Sequence, residues 1–515
     1  MSNRYRAFRR ALMGMSAAAV VSTLVASPAT AADKVFRIGA STEISNRGNV
    51  YAGASTPSIY AWHAIFDSMT FVNKEGQLDP RAAESWESKD ANTWIFKLRR
   101  GMKYTNGAMF DAHDVVAAID YLNNDEKGKT FYVARESGAL NIEKATAIDD
   151  YTVEFKTKVP EVLLPAKMSM LWVVPRQYFA DVGWEKFTQE PVGTGAFTVE
   201  TWEPNVIMHA RKDSWRVPKI DRVDYIVLNE RAARVQALLS DQVDLAIALS
   251  FDDIAPVRSA GKTVDVVPIG ATLALALANT VREDSPFKDK RVRQALNYAV
   301  DTQAIADGIG QGIVVPAGQP GTPVAYGYNP NVKAYPHDPA KAKQLLSEAG
   351  FPNGFKTKFA VVTGAFPGDS ETYQQVAQDL GKVGIELELE KITFSKWLPM
   401  YFQNTWWKEG QYDGFSLTMN SVPYLDATRS MSYYSCQKKP AFFCDESVIP
   451  LLEEQAAEFN VPERLKKVQR LAEVYHDLAP AIYLFERVSI TGVNTNVVGF
   501  QNENEAFNLT DLDLR

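Results

Sequence analysis

The sequence has few of the residues that build metal or thiol chemistry. Its 515 residues include 5 histidines and 2 cysteines. The histidines are scattered and form no HExxH pair; they are His63, His113, His209, His337 and His476. Two metal ligands on one helix face need a spacing of three or four residues. We therefore expect no metal site and no cofactor.

Motifs typical of nucleophilic or phosphate chemistry are also missing. The chain has no GxSxG turn and no GxxxxGK[ST] loop, and no local pair of carboxylates stands out as an acid/base couple. Catalytic groups can still come from distant parts of a chain. The expectation is a protein that binds rather than catalyses, with an exported hydrolase as the remote alternative.

Basic residues are fewer than acidic residues. Lys and Arg number 55 against 62 Asp and Glu, which gives a formal net charge of −7. An acidic protein is poorly suited to bind nucleic acid or anionic lipid. After residue 31 no apolar segment reaches the length of a membrane span. We expect a soluble body without a nucleic-acid partner.

The first 31 residues differ from the rest of the chain. MSNRYRAFRR carries four arginines and no acid, and a short apolar run leads from it to Ala29-Thr30-Ala31. This order is typical of a signal peptide cleaved before Ala32, whereas the run is too short to favour a membrane anchor. Arg9-Arg10 leaves twin-arginine export open beside general secretion. The mature protein is therefore expected outside the cytoplasm.

The two cysteines, Cys436 and Cys444, lie close together in the sequence. In an oxidising compartment this spacing predicts a disulfide that closes a small loop. Two free buried thiols are the alternative.

Alternating strand and helix patterns fill the mature chain. Strands are predicted in KVFRIGAS, YTVEFKTKV, IELELEKI and AIYLFE, and helices in AHDVVAAIDYLN, DPAKAKQLLSEAG and ERLKKVQRLAEVYHDLA. KDKRVRQALNYAVDTQAIADGIG is predicted as one long helical stretch. IDRVDYIVLN, ERAARVQALLS and VDLAIAL follow in βαβ order, which favours a mostly parallel sheet. Without repeats or long flexible linkers, the pattern predicts two α/β lobes.

PVGTGAF at residues 191–197 is the one glycine-rich turn that suggests a phosphate site. Such a loop should follow a strand and open a helix. Here AFTVETWEP alternates apolar and polar residues and ends at Pro204-Asn205, a turn signal before NVIMHARKD. The segment therefore predicts a hairpin, and the glycines a bend or a close backbone approach.

Four blocks together resemble the extracytoplasmic solute-binding proteins of peptide-type ABC importers, family 5. The first block combines a tryptophan, Leu-Arg-x-Gly, an aromatic-x-x-Gly turn and Ala-x-Asp-Val, here Trp86, Leu98 to Gly101, Tyr104 to Gly107 and Ala112 to Val115. The family's turn more often reads His-Asp-Gly. The other blocks are PVGTGAF, FKDKRVRQALNYAVD at 287–301 and DPAKAKQLLSEAGFPNGF at 338–355.

The resemblance implies a two-lobed periplasmic-binding-protein fold, type II, with mixed sheets and a hinge-lined cleft. The larger lobe would hold residues 32–278 and 489–515, with an inserted subdomain at about 66–190, and the smaller lobe residues 279–488. Strands would cross near 275–280 and 485–492. The implied function is a monomeric periplasmic protein that captures a peptide or peptide-like solute and delivers it to the importer's permease, without enzymatic activity.

The resemblance also implies ligand-binding residues. Trp397 matches a tryptophan that lines the cleft of dipeptide-binding relatives, and a core tryptophan is the alternative. Asp426 is the candidate for the aspartate that receives a ligand ammonium, with a solvated loop aspartate as the alternative. Asn420 and Tyr424 belong to the same segment. Phe366 is a candidate aromatic wall, and Tyr51 completes the set.

One departure concerns specificity. Dipeptide-binding relatives carry an arginine for the ligand carboxylate in the loop before the helix SETYQQVAQDL, and here that loop reads VVTGAFPGD. The bidentate carboxylate clamp is therefore absent from the loop, which disfavours strict dipeptide specificity. A longer peptide, an opine, a sugar-like compound and a metal chelate or haem remain open as solutes.

Overall fold

The computed structural model describes residues 33–53, 56–279, 283–393, 396–397, 400, 412–437, 443–503 and 506–515. The predicted export signal lies outside these residues. The chain from Lys34 to Arg515 folds as one unit. Within the described residues, no helix combines the length and the apolar character that crossing a membrane requires.

The strands carry the architecture, and they are numbered in chain order. They are β1 Val35–Ala40, β2 Thr70–Val72, β3 Leu78–Pro80, β4 Ala83–Asp90, β5 Thr93–Leu98, β6 Ile142–Asp149, β7 Thr152–Thr157, β8 Phe197–Thr201, β9 Val206–Ala210, β10 Arg222–Val227, β11 Leu245–Ala246, β12 Thr263–Leu277, β13 Lys356–Val362, β14 Glu386–Ile392, β15 Gly414–Asn420, β16 Ala481–Val493, β17 Val497–Val498, β18 Asn502–Glu503, β19 Ala506–Phe507 and β20 Asp513–Leu514.

The helices are numbered in the same way. They are α1 Thr56–Ile65, α2 Ala112–Asn124, α3 Tyr132–Glu136, α4 Leu164–Lys167, α5 Arg176–Gln189, α6 Arg231–Leu239, α7 Ile254–Ser259, α8 Lys290–Ala299, α9 Thr302–Gly308, α10 Pro339–Glu348, α11 Asp369–Gly381, α12 Ala427–Tyr433, α13 Ile449–Ala456 and α14 Val461–Leu478.

One 10-stranded sheet runs through the molecule in the order β14-β13-β15-β12-β16-β11-β1-β10-β9-β8, and β4, β5, β7 and β6 form a separate antiparallel sheet. Strand β1 is parallel to β10 and β11, and β13 is parallel to β14 and β15. Strands β12 and β16 are antiparallel to every neighbour. The prediction of a mostly parallel sheet is therefore wrong, because these two long strands separate the parallel groups.

Strands β12 and β16 join the two halves of this sheet. They pair from Thr263 opposite Val493 to Ala276 opposite Ala481, with an irregular register between Pro268 and Thr272. The irregular stretch comes a few residues before the predicted crossing at 275–280, and its partners in β16 fall within the predicted 485–492. A break in register lets paired strands bend. The exact lobe boundaries stay a prediction.

The apolar core is divided between the two halves. The largest cluster fills the space between β1, α1, the four-stranded sheet and the C-terminal tail. A second cluster covers one face of the long sheet beneath α6, α7, α8 and α11, and a third lies beneath α12, α13 and α14. A small fourth cluster brings residues from both halves together: Val72, Ala166, Val422, Tyr424 and Leu425.

The helix signals in the sequence give the correct helix starts. Asp111 caps α2 by accepting from the backbone of His113 at 2.8 Å, and Asp338 caps α10 by accepting from Lys341 at 2.9 Å. The long helical stretch near residue 300 is two helices, because Asp301 accepts from the N–H of Ala304 and starts α9. Side chains that compete for backbone N–H groups favour such breaks.

The PVGTGAF segment precedes the hairpin of β8 and β9, as predicted. A Cβ on Gly193 would lie 2.1 Å from the carbonyl oxygen of Ile65, and one on Gly195 would lie 2.4 Å from that of Ala64. Thr194 between them is fully buried and donates to Asp67 at 2.9 Å. The glycines therefore serve a close backbone approach to the end of α1.

Cys436 and Cys444 form a disulfide, with Cα atoms 4.5 Å apart. The side chain of Asn279, just beyond β12, accepts from the N–H of Cys444 at 3.0 Å and donates to its carbonyl at 2.8 Å. These two hydrogen bonds attach the disulfide loop to the end of a central strand.

Candidate functional site

Three parallel strands of one half end at the crossing. Strand β15 runs antiparallel to β12, from Gly414 opposite Leu277 to Asn420 opposite Ala271. Because β13 and β14 run in the same direction as β15, all three end at the same edge of the sheet, and β15 ends beside the irregular stretch of β12. Ligands of α/β proteins bind at the carboxyl ends of such strands.

Three strands of the other half point at the same crossing. Strand β11 runs antiparallel to β16, with Leu245 opposite Val493 and Ala246 opposite Gly492. Strand β1 is parallel to β11 and β10, so all three run towards the crossing from the opposite side. The two sets of strand ends therefore face each other across a cleft that the crossing of β12 and β16 bounds.

Five of the six predicted ligand-binding residues follow the carboxyl ends of β13, β14 and β15. Phe366 follows β13, Trp397 follows β14, and Asn420, Tyr424 and Asp426 end or follow β15. The topology brings these segments to one edge of the sheet. Their roles as ligand contacts stay predictions.

Phe366 lies in a loop held by one carboxylate. Asp369, at the start of α11, accepts from the N–H groups of Gly364, Ala365 and Phe366 at 2.9, 2.9 and 3.0 Å. The guanidinium carbon of Arg487 lies 3.6 Å from the centre of the Phe366 ring. A strand residue of the crossing thus stacks on the predicted aromatic wall.

Arg429 connects the segment after β15 to the other half of the molecule. Its guanidinium donates to the Asn420 carbonyl at 2.6 Å, to Glu136 at 2.8 Å and to the Tyr132 hydroxyl at 2.9 Å. The side chains of Arg429 and Glu136 are 6% and 0% exposed. The Arg429 guanidinium also lies 5.9 Å from the Tyr424 ring centre.

The electrostatics of this cluster favour a charged arginine. Burial would lower the pKa of Arg429, but the Glu136 carboxylate and the neighbouring tyrosines raise it well above its usual value. Burial also raises the pKa of the Tyr424 hydroxyl, and the Glu136 charge adds to that shift. Glu136 and Arg429 therefore form a buried ion pair between α3 and α12.

Asp426 has partners within its own half of the molecule. It caps α12 by accepting from the N–H of Thr428 at 2.9 Å and also from the Thr428 hydroxyl. Its second oxygen lies 2.8 Å from Arg464, and Asp426 is 2% exposed. This geometry favours a structural role, and binding of a ligand ammonium stays a prediction.

Trp397 and Asn420 also have local packing or bonding. Trp397 is 8% exposed and belongs to the same buried cluster as Ile392 and Phe415. The side-chain oxygen of Asn420 accepts from the N–H of Val422 at 2.8 Å. The core alternative for the tryptophan therefore has geometric support.

Tyr51 does not follow the carboxyl ends of β13, β14 and β15, as the other five candidates do. Its ring packs 5.2 Å from Trp184 and 6.4 Å from Tyr121, and its hydroxyl donates to the Trp172 carbonyl at 3.2 Å. It lines a cavity of about 460 Å³ between α2 and α5, together with Asp114. Its burial makes a contact with solute in the main cleft geometrically unfavourable.

Two residues of the crossing were not found from the sequence. Glu486 and Arg487 are the charged residues of β16, in a strand that is otherwise uncharged. Glu486 is half-buried, and this burial raises its pKa to about 7. Charges within a buried strand are costly unless they are paired and hydrogen-bonded. Two adjacent charged residues in an otherwise apolar strand were therefore the signal available in the sequence.

The described residues contain no group of three or more His, Cys, Asp or Glu side chains that could hold a metal ion. Direct metal ligation therefore has no geometric support in the described part of the chain.

Comparison with known sequences places the chain among binding proteins. The family model "Bacterial extracellular solute-binding proteins, family 5 Middle" matches residues 77–441. Heme-binding protein A of Haemophilus influenzae is 26% identical over 527 residues, covering 93% of this chain and 95% of the relative. Glutathione-binding protein GsiB of Salmonella paratyphi A is 28% identical over 355 residues, covering 67% and 66%.

Solved structures confirm the two-lobed periplasmic-binding-protein fold. AgaA of A. tumefaciens R10, in complex with agropinic acid, aligns with a TM-score of 0.80 and 25% identity, covering 93% of this chain and 99% of AgaA. The ABC transporter-associated DppA of Helicobacter pylori, in complex with peptide STSA, aligns with a TM-score of 0.79 and 22% identity, covering 93% and 98%. Because the family model matches most of its length, the chain belongs to the bacterial extracellular solute-binding proteins of family 5, the substrate-binding components of ABC importers.

Proposed function

We propose that the protein captures a peptide-like solute in the periplasm and delivers it to an ABC permease. The observation that carries this proposal is the convergence of six strand ends, three from each half, on the crossing of β12 and β16. Loops at these ends can surround a solute, and bending at the crossing can open and close the cleft.

The chemistry of the strand ends supports a peptide-like solute. Phe366 offers part-exposed aromatic surface, and Glu486 and Arg487 place an acidic and a basic side chain at the crossing. Clefts that hold polar solutes combine apolar walls with a few polar or charged groups that fix orientation. Peptide STSA in DppA and glutathione in the name of GsiB are ligands of this class in similar proteins.

An opine-type solute is the second candidate. AgaA, which binds agropinic acid, has 25% identity and a TM-score of 0.80 over 93% of this chain. Haem is a third, because heme-binding protein A covers nearly the whole chain. Within the described residues no metal-ligand cluster supports haem through its iron.

The proposal includes export and lobe organisation. Residues 1–31 act as the signal peptide, and the mature protein is a monomer. The larger lobe holds 32–278 and 489–515, with the subdomain at about 66–190, and the smaller lobe holds 279–488. The irregular register between Pro268 and Thr272 supports a joint close to this division.

Native mass spectrometry of freshly purified mature protein, followed by calorimetry, tests the function. The panel is peptide STSA, glutathione, agropinic acid and haemin. We expect saturable one-to-one binding of a peptide and no product. A ligand at 100 times its Kd raises the free energy of unfolding by about 2.7 kcal/mol. Binding of agropinic acid or haemin alone selects a competing solute, and peptide cleavage supports the hydrolase instead.

A further inference from the structure

The segment that follows β15 is packed against the other half of the molecule. Its apolar side chains belong to a small buried cluster that both halves share: Val72, Ala166, Val422, Tyr424 and Leu425. The carboxylate of Asp426, the next residue, is buried 2.8 Å from Arg464. Space beside the end of β15 is therefore occupied by the protein's own side chains.

Four side chains, which we call the Arg429 plug, join the two halves at this strand end: Tyr132, Glu136, Arg429 and Tyr433. Arg429 donates to the carbonyl of Asn420, the last residue of β15, at 2.6 Å and to Glu136 at 2.8 Å. Arg429 also donates to the Tyr132 hydroxyl, and the Tyr433 hydroxyl donates to Glu136. The plug therefore connects α3 of one half with α12 and the end of β15 in the other.

Helix α3 is itself attached to a segment that follows a strand of its own half. The N–H of Val133 donates to the carbonyl of Tyr51, which follows β1 in the chain, at 3.3 Å. Strands β1 and β15 belong to the two opposed sets of strand ends. The plug thus extends from one side of the cleft to the other, beside a strand end where a solute is expected.

A second contact between the halves lies near the plug. The N–H of Val162, beyond β7, donates to the carbonyl of Ala456 in α13 at 3.0 Å. Burial raises the pKa of the Tyr424 hydroxyl, and the charges of Glu136 and of Glu161, the neighbour of Val162, add to this shift. The two contacts therefore act on the same tyrosine, and the plug is part of a broader closure of this side of the cleft.

An extended solute that continued past the end of β15 would have to displace the plug. The side chains of Arg429 and Glu136 are 6% and 0% exposed, and separating a buried ion pair is costly. Each further residue of an extended peptide needs about 3.3–3.6 Å of length. Phe366 after β13 and Glu486 at the crossing are only part-buried, so a compact solute has groups to contact without disturbing the plug.

We propose that the Arg429 plug limits the length of the solute, so that the substrate class is a compact peptide-like solute rather than an extended oligopeptide. This inference rests on the proposed function and narrows it. Glu136 and Arg429 determine specificity by the volume that they fill and by the contact that they hold between the halves.

The test measures affinity against length. Calorimetry with the full mature protein gives the Kd of three free peptides that share their composition and their charged ends: STS, STSA and STSASTSA. We expect STS and STSA to bind with Kd values within about 10-fold of each other. STSASTSA should bind at least about 10-fold more weakly than STSA, because it has to open the plug.

Two double variants assign this length penalty to the plug. Glu136→Ala/Arg429→Ala removes the charges and the volume, so the penalty for STSASTSA should fall below about 3-fold. Glu136→Gln/Arg429→Met removes the charges but nearly conserves the volume, so the penalty should remain. Both variants lose the ion pair and its effect on closure, and the second is therefore the matched control for the first. Thermal unfolding confirms that both are folded.

The outcomes separate the inference from the function. If STSASTSA binds the unmutated protein as tightly as STSA does, the inference is overturned and the peptide-like function stands; this arm needs no variant to fold. A penalty that is unchanged in folded Glu136→Ala/Arg429→Ala also overturns it. If none of the three peptides binds, the peptide-like function fails, and the inference fails with it.

Discussion

Among single residues, Glu486 should make the free energy of unfolding depend measurably on pH. Burial raises its pKa to about 7, and the charged groups of its neighbours do not offset this. The folded protein therefore holds this proton more tightly than the unfolded chain, in which the carboxyl has its ordinary pKa of 4.5. The stabilisation is complete below the unfolded pKa and is lost as pH rises through about 7.

Replacing this carboxylate by an amide should remove the pH dependence. We expect Glu486→Gln to unfold at the same urea concentration as the unmutated protein near pH 4.5. At pH 8 it should be more stable by on the order of 2 kcal/mol, given about 1.4 kcal/mol per pKa unit and partial exposure. Glu87→Gln, in an exposed position of β4, is the control. An equal difference at both pH values contradicts the argument.

Asp426 distinguishes a capping role from a ligand role. Its carboxylate is 2.8 Å from Arg464, and both side chains are buried. Asp426→Asn keeps the helix cap but leaves Arg464 without its carboxylate, so we expect a loss of on the order of 3 kcal/mol in unfolding free energy. Asp338→Asn, at the exposed cap of α10, should change stability little. Unchanged stability with a large loss of solute affinity would support the ligand role instead.

At the scale of elements, the PVGTGAF turn before β8 lies in close backbone contact with the end of α1. We expect Gly195→Ala to lower the free energy of unfolding by more than about 2 kcal/mol, because its Cβ would lie 2.4 Å from a backbone oxygen of α1. Gly381→Ala, at the end of α11 with open space around it, should be neutral or stabilising by up to about 1 kcal/mol. Urea unfolding of both variants checks this, and equal effects would show that the turn can relax.

Local signals predicted the elements better than their pairing. Asp111 and Asp338 mark helix starts because an N-cap acts within three residues. The alternation after PVGTGAF predicts a hairpin, because strand alternation and turn residues are also local signals. The antiparallel insertion of β12 and β16 between the parallel groups has no local signature, because the two strands pair across more than two hundred residues. The strand predicted over VDLAIAL is shorter in the structure and covers Leu245–Ala246.

The candidate site likewise combines residues that the sequence could indicate with contacts that only the tertiary structure creates. Phe366, Asn420 and Tyr424 were proposed from the family resemblance, and the fold gathers the strand ends that they end or follow. Arg487 joins Phe366, and Arg429 joins Glu136, only through tertiary structure, since the latter pair is 293 residues apart. The ion pair of Asp426 was not predicted, because its partner Arg464 lies on another helix. Side chains that meet across elements leave no spacing in a single sequence.

At the scale of the whole molecule, the Glu136–Arg429 pair connects the two halves across the cleft. Glu136 ends α3, beside Val133 and Ala134 of the largest cluster, and Arg429 lies in α12, between Ala427 and Met431 of the third. Opening the cleft would separate the ion pair and hydrate both charges. The pair therefore stabilises the closed form in particular, and a solute that binds the closed form benefits from it.

Removing one partner should favour the open form. In Glu136→Gln the buried Arg429 loses its carboxylate, and opening relieves this by hydration, so we expect a larger radius of gyration without solute and a solute affinity about 10- to 100-fold weaker. The double variant Glu136→Gln/Arg429→Met removes both charges and should recover part of the lost affinity. Arg291→Met, which removes an exposed ion pair with Asp289, is the control. Small-angle scattering and calorimetry measure the two effects, and an unchanged radius together with unchanged affinity in Glu136→Gln would show that the pair serves folding rather than closure.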